Sequence, residues 1–247
     1  MYIKPVDSFN DNIIEQEWDA IADVRDRLIH SGQDISLLDV TEPFVLEVIS
    51  RDDIRSVLDC GCGSGHLTQI IANKLKKSTV GIDISGKSIA LAEKHYGRSD
   101  NVSFIKSSII HFAKHKISFD ACVANMVLMD ISEIRRNLVA IYSLLNTNGT
   151  FCFTITHPCF WPIYWEYFKE PWFNYGSEIC IKAPFYVNGE FLGETTHVHR
   201  PLSTYITLCK EVGFTIENIK ELYPLNSHLD LNYHYDYPRF IGFICRK

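Results

Sequence analysis

From Ile54 onward, short apolar runs rich in β-branched residues alternate with stretches of helical periodicity, and nothing else in the 247 residues constrains the fold as tightly. Strands are expected at 55–59, 79–83, 102–106, 119–124 and 150–156, with helices at 66–77, 87–96, 109–114 and 132–145 between them. A strand that is followed by a helix cannot hairpin onto the next strand, so such units build a parallel sheet whose two faces are both covered. The run Asn146-Thr147-Asn148-Gly149 is a helix stop before the fifth of these strands.

The alternation breaks at 157–200, a segment carrying Trp161, Trp165 and Trp172 together with many Phe and Tyr residues. Within it, Asn188-Gly189 is flanked by strand formers, the signature of a tight hairpin. A helix at 203–212 and strands at 214–222 and 240–245 complete the pattern, and before Ile54 the spacing of Ile13, Ile14, Glu17, Trp18, Ile21 and Val24 is helical. The expected architecture is a single α/β domain: a doubly wound, seven-stranded, mainly parallel sheet, a helical cap over 1–53, a cofactor-binding core over 54–156, an aromatic lid inserted after the fifth strand over 157–200, and the end of the core over 201–247.

With 46% hydrophobic residues the chain can bury a substantial core. Its formal charge is −6 and no stretch gathers Lys and Arg, which argues against a nucleic-acid partner and for a small molecule. No run is long enough for a membrane span, and residues 1–7 lack the apolar core of a signal peptide, so a cytoplasmic protein is expected. Eight cysteines are scattered without a C-x-x-C pair and several lie in apolar runs, where a reduced thiol serves as a small hydrophobe.

The turn after the first of these strands reads Asp59-Cys60-Gly61-Cys62-Gly63-Ser64-Gly65. Glycines spaced in this way between a strand and a helix let the backbone approach a ligand that a Cβ would exclude. The dinucleotide fingerprint G-x-G-x-x-G would require glycine where His66 stands, and the Asp59 carboxylate would repel a pyrophosphate while attracting an ammonium group. Twenty-two residues after Gly61, Asp83 closes the second strand, where an acidic side chain can accept both hydroxyls of a ribose.

With the motif D-x-G-x-G-x-G and this second acidic residue, the stretch 57–156 resembles the class I S-adenosylmethionine-dependent methyltransferases. The stretch Phe119-Asp120-Ala121-Cys122-Val123-Ala124-Asn125-Met126 is similar to that family's fourth-strand motif. The resemblance implies S-adenosylmethionine as cofactor and a last strand that runs antiparallel. It also implies that Asp59 and Gly61 hold the methionine end, within the turn that includes Gly63 and Gly65, and that Asp83, with Ile84 beside it, holds the ribose. Asn125 and Met126 would offer backbone near the sulfonium. Where the family often has an acidic residue for the adenine amino group, this chain has Ser107-Ser108, so the serine hydroxyl or the backbone at Ser108 and Ile109 would take that contact.

Reacting groups in open α/β sheets gather beyond the carboxyl ends of the strands. His157 directly follows the fifth of these strands, and His197 and His199 stand at the far end of the insertion, so the three are the candidates for accepting a proton or orienting an acceptor. Trp161, Trp165, Trp172 and Phe185 would cover the acceptor; the alternative is an auxiliary hydrophobic layer or a dimer contact. Cys159 with His197 and His199 has the composition of a zinc site, but no spacing rule places a closed ligand set, and no metal is expected. The reading is methyl transfer from S-adenosylmethionine to O or N of a small, aromatic or amphipathic acceptor. Its rivals are an NAD-dependent oxidoreductase and a noncatalytic cofactor-binding or interaction protein.

Overall fold

The apolar runs pair largely where the alternation placed them. A computed structural model describes residues 3–7, 9–225 and 236–247. Strands β1 (Lys4–Pro5), β2 (Ser56–Cys60), β3 (Ser78–Asp83), β4 (Val102–Lys106), β5 (Phe119–Asn125), β6 (Leu145–Thr156), β7 (Ile179–Val187), β8 (Glu190–His199), β9 (Thr215–Leu222) and β10 (Phe240–Arg246) form two sheets. The helices are α1 (Asp11–His30), α2 (Glu42–Ile49), α3 (His66–Asn73), α4 (Gly86–Tyr96), α5 (Ile109–Phe112), α6 (Ile134–Ser143), α7 (Trp161–Tyr164) and α8 (Leu202–Val212).

The main sheet has the order β4-β3-β2-β5-β6-β10-β9. β2 to β6 pair in parallel, and β10 lies antiparallel between β6 and β9. Period-two alternation along the strands fills both faces. Leu58, Cys122, Ala124, Phe151 and Phe153 pack with α5, α6 and α8, while Val57, Ala121, Val123 and Cys152 pack with α2 and α3. From β2 the chain winds outward through β3 to β4 and then returns to place β5 on the other side of β2. A crevice therefore opens beyond the carboxyl ends of β2 and β5, at the point where the winding reverses.

The insertion makes a second, three-stranded antiparallel sheet, β1-β7-β8. Asn188 and Gly189 have φ of 49° and 78°, the pair of positive values that a type I′ turn demands. Tyr167, Ile181 and Ala183 form its core with Trp165, Trp172 and Phe173 packed around them. The cap and the insertion prove to be one cover. β1 pairs with β7 through Lys4↔Lys182 and Pro5↔Ile181. The buried Glu17 on α1 accepts hydrogen bonds from Thr196 N at 2.7 Å and Thr196 Oγ1 at 2.9 Å, and meets Lys182 Nζ at 3.0 Å. On the core side, Asp19 of α1 accepts hydrogen bonds from Ser85 Oγ and Lys87 N, just past β3.

Two boundaries differ from expectation. The helix expected to reach residue 77 ends at Asn73, because the chain turns back into β3 through Lys76 in a left-handed conformation (φ 57°), a reversal that no glycine announced. The Asn146–Gly149 stop does end α6 but is itself part of β6, with Asn148 at φ 62° and a register shift against β5. All eight cysteines are free thiols, six of them buried. No helix among the described residues is long and apolar enough to cross a membrane.

Candidate active site

The turn after β2 holds three glycines with positive φ: Gly61 at 74°, Gly63 at 55° and Gly65 at 84°. They do different work. A Cβ on Gly61 would lie 2.4 Å from Val127 Cγ2, and one on Gly65 would lie 2.7 Å from the Phe104 ring. At Gly63 a Cβ would meet nothing within 4 Å, since this residue borders open cavity. Gly63 N donates to Asp83 Oδ2 and Ser85 N to Asp83 Oδ1, both at 2.8 Å, so the carboxylate at the end of β3 is fixed against the glycine turn. Burial pushes the Asp83 carboxyl above its usual range, against the pull of those two amides.

Asp59 is 1% exposed and accepts a hydrogen bond from Thr68 Oγ1 at 2.6 Å. Burial raises its carboxyl to about 7; the Thr68 hydroxyl opposes this and the nearby Asp83 adds to it. Ser64 Oγ, buried at the same turn, has no hydrogen-bond partner. Beyond β5, Met126 adopts φ 60° and its amide donates to Thr154, whose hydroxyl in turn donates to Asn125 Oδ1 at 2.5 Å. Beyond β4, Ser108 Oγ caps α5 by accepting from His111 N at 3.3 Å.

These groups line one cavity of about 730 Å³. Asp59, Gly61, Gly63, Asp83, Ile84, Ser107, Ser108, Ile109, Asn125 and Met126 form its floor, while Gly65 lies behind it as a packing residue. Trp18 of α1, Trp161, Tyr164 and Trp165 after β6, and Phe185 and His197 of the hairpin form the opposite wall.

Residues 52–169 match a family model described as a methyltransferase domain. Over that stretch, just under half of the chain, the sequence is similar to methyltransferase domains. The chain's fold is that of S-adenosylmethionine-dependent enzymes. One such methyltransferase from Mesorhizobium loti superposes with a TM-score of 0.62 at 17% identity, covering 83% of this chain and 98% of the other. The 1,6-didemethyltoxoflavin-N1-methyltransferase of Burkholderia thailandensis, bound to 1,6-didemethyltoxoflavin and S-adenosylhomocysteine, does so with a TM-score of 0.60 at 15% identity, covering 99% and 94%. In sequence, a malonyl-[acyl-carrier protein] O-methyltransferase of Halalkalibacterium halodurans is 30% identical over 113 residues, 44% of this chain and 42% of that protein. The chain spans about half or less of the first curated relatives it matches.

Around the cavity the three candidate histidines separate. His197 lines the cavity, is 6% exposed, and has no partner for Nε2. Desolvation, with the charge of His199 next, lowers it to about 3, so its imidazole is neutral across the physiological range. His157 and His199 are not among the lining residues. His157 Nδ1 accepts from Cys159 N at 3.2 Å and its ring packs on Phe160, while His199 Nε2 donates to Tyr175 O at 3.1 Å. Alternation along β8 puts Thr195, His197 and His199 on one face, but the cavity reaches only the first two. Trp172 also turns from the cavity and packs on Tyr167 and Phe173.

Sequence reasoning missed Asp130 and Arg200. Asp130 closes a short 3-10 turn after β5 and lines the cavity. The wholly buried Arg200 donates to the carbonyls of Leu128, Ile131 and Ser132 and to Glu178, clamping that turn. Among the described residues, those with metal-ligand geometry are Asp26, His30 and His95, outside the cysteine and histidine set considered from sequence. Here His95 Nε2 lies 3.0 Å from Asp26 Oδ2 and so pins α4 to α1, while His30 Nδ1, on α1 itself, lies 3.2 Å from Asp26 Oδ1.

Proposed function

We propose that this chain transfers a methyl group from S-adenosylmethionine to a small acceptor held beneath the joined cap and insertion. The observation that carries this reading is the continuity of the cavity: one space of about 730 Å³ runs from the glycine turn to the aromatic wall. That volume falls within the range of small-molecule and cofactor sites, roughly 300–1,000 Å³.

The residues fit the cofactor. The empty Cβ position at Gly63 leaves room for close approach, and Ser64 Oγ offers an unused hydrogen-bonding group. Asp59, Gly61 and Ser64 would hold the methionine end and Asp83 the ribose hydroxyls. The Ser108 hydroxyl is already engaged in capping α5, so the backbone at Ser108 and Ile109, in the unpaired first turn of the helix, is the better adenine contact. When bound, the cofactor supplies a methyl group activated on a sulfonium, ready for in-line displacement. Trp161, Trp165 and Phe185 exclude water and present flat faces to a planar acceptor. His197, neutral and with Nε2 unpartnered, orients the acceptor by a hydrogen bond; burial that lowers it to about 3 makes it a weak base. An NAD-dependent reading is opposed by Asp59 and by His66 in place of the third fingerprint glycine.

The test is turnover. With an acceptor found by screening for S-adenosylhomocysteine release, His197→Ala should lower turnover at subsaturating acceptor by about tenfold through loss of the orienting hydrogen bond. S-adenosylhomocysteine affinity should stay within about threefold, well under the 1.4 kcal/mol of a tenfold change. Unchanged turnover in the folded variant would remove His197 from the reaction. An inability of the wild-type chain to release S-adenosylhomocysteine with any acceptor would favour the noncatalytic rival.

A further inference from the structure

The wall opposite the glycine turn carries charges that discriminate between acceptors. Both lining arginines are committed. Arg25 lies 3.4 Å from Asp34 and is stacked over the Trp18 and Phe185 rings at 5.5 and 5.4 Å, and Arg239 lies 3.7 Å over the Tyr164 ring. Among the lining acids, Asp59 and Asp83 are engaged at the turn, Asp26 by His30 and His95, and Asp34 by Arg25, while Asp11 is exposed to solvent. Asp130 is different, for its neighbours act on it through charge and desolvation, not through a hydrogen bond. The groups facing it are Arg25 and Glu17 from α1 and Arg200 from beyond β8. Arg200 is occupied by three carbonyls and Glu178, so it fixes the turn without neutralising the carboxyl.

We propose that Asp130 is the acceptor-binding carboxylate and that the acceptor is an amine on an aromatic framework. The proposal rests on the reading of the cavity as the acceptor site. The aromatic residues Trp18, Trp161, Tyr164, Trp165 and Phe185 suit a flat, cationic ligand, since ring faces attract ammonium groups. His197 adds a second, independent sign of a ligand: a side chain more than nine-tenths buried, on the same wall, with Nε2 unpartnered. A carboxylate acceptor would instead gain no ion pair from Asp130, whose neutral form it would favour, while Asp34 and the Tyr164 ring already engage the two lining arginines.

The same arrangement handles the proton. An ammonium acceptor gives one proton to the Asp130 carboxylate, leaving a neutral amine with its lone pair and a neutral carboxylic acid. Burial raises the Asp130 carboxyl well above its usual range, so the neutral acid is favoured in the empty cavity; a bound ammonium restores the carboxylate, whose raised basicity suits it to take that proton back. In the transfer the nitrogen lone pair forms the N–C bond, the C–S bond pair stays on sulfur, and the positive charge passes from sulfonium to the methylated nitrogen.

The experiment is calorimetric titration of the full chain, saturated with S-adenosylhomocysteine, with three probes of similar shape: 2-phenylethylamine, 2-phenylethanol and 3-phenylpropionate. The amine should bind at least tenfold more tightly than either other probe. Asp130→Asn should erase that preference while leaving S-adenosylhomocysteine affinity within threefold. Asp130→Glu should keep part of it, which a merely structural role for the carboxylate would not require. Equal binding of the alcohol or the acid, no binding of any probe, or an unchanged preference in Asp130→Asn overturns the proposal. Failure of S-adenosylhomocysteine itself to bind refutes the reading of the cavity first and is seen before any probe is added.

Discussion

Gly63 and Asp59 separate binding from folding at the level of single side chains. Gly63→Ala adds a Cβ that meets no protein atom, so its structural cost is the positive φ alone, about 1–2 kcal/mol. For a domain of this size that is a shift in Tm of roughly 2–8 °C. The new methyl nevertheless projects where a ligand must approach, and S-adenosylhomocysteine affinity measured by calorimetry should fall more than tenfold; retained affinity would contradict the assigned approach. Asp59 predicts a pH dependence. Its folded carboxyl titrates at about 7, above the unfolded value, so the folded state binds more protons between the two. Its effect on the unliganded protein is therefore favourable at low pH and lost as pH rises through 7. A cationic ligand prefers the ionised form, so affinity for S-adenosylmethionine should rise about tenfold between pH 5.5 and 7. Asp59→Asn should flatten that rise, and a rise that persists in the variant assigns it to another group. The two acidic residues and the glycines were legible in the sequence because strand ends and turn spacing are local. Asp130 left a weaker mark, a lone carboxylate five residues beyond the end of β5.

The cap and the insertion were each legible as elements but not as partners. Helical spacing marks α1 and the Asn-Gly turn marks the hairpin, yet Glu17 and Thr196 lie 179 positions apart and no local pattern pairs them. β1 was missed for the same reason: two residues become a strand only because β7 presents an edge. The three histidines show the limit of topology, which brings all of them near the sheet edge while the reach of the cavity along β8 and ring packing decide that, of the three, only His197 lines it. The link between cover halves is testable. Glu17→Gln weakens the acceptor of two Thr196 hydrogen bonds and leaves Lys182 without its carboxylate, so stability in urea should fall by about 1–3 kcal/mol. Amide exchange at Thr196 and His197 should accelerate more than in β2 or β5. Uniform change across the chain would show that the contact does not specifically hold the two halves of the cover together.

For the molecule as a whole, the sheet positions the cofactor site and the cover completes it. β2 and β5 diverge where the winding reverses, and the glycine turn, Asp83 and Asn125 stand at that opening because each ends or follows one of these neighbouring strands. This part of the account was legible in the alternation and the motif; the direction of β10 followed from the family resemblance, since an apolar strand has no mark of its orientation. What the alternation could not specify is the aromatic wall of the cavity, built from α1, the segment after β6 and the hairpin together. The central claim is that the cavity takes S-adenosylmethionine at its floor. Calorimetric titration of the wild-type chain with S-adenosylhomocysteine and, separately, with NAD measures it directly. The account predicts one-to-one binding of S-adenosylhomocysteine and none of NAD; binding of NAD without S-adenosylhomocysteine would contradict it.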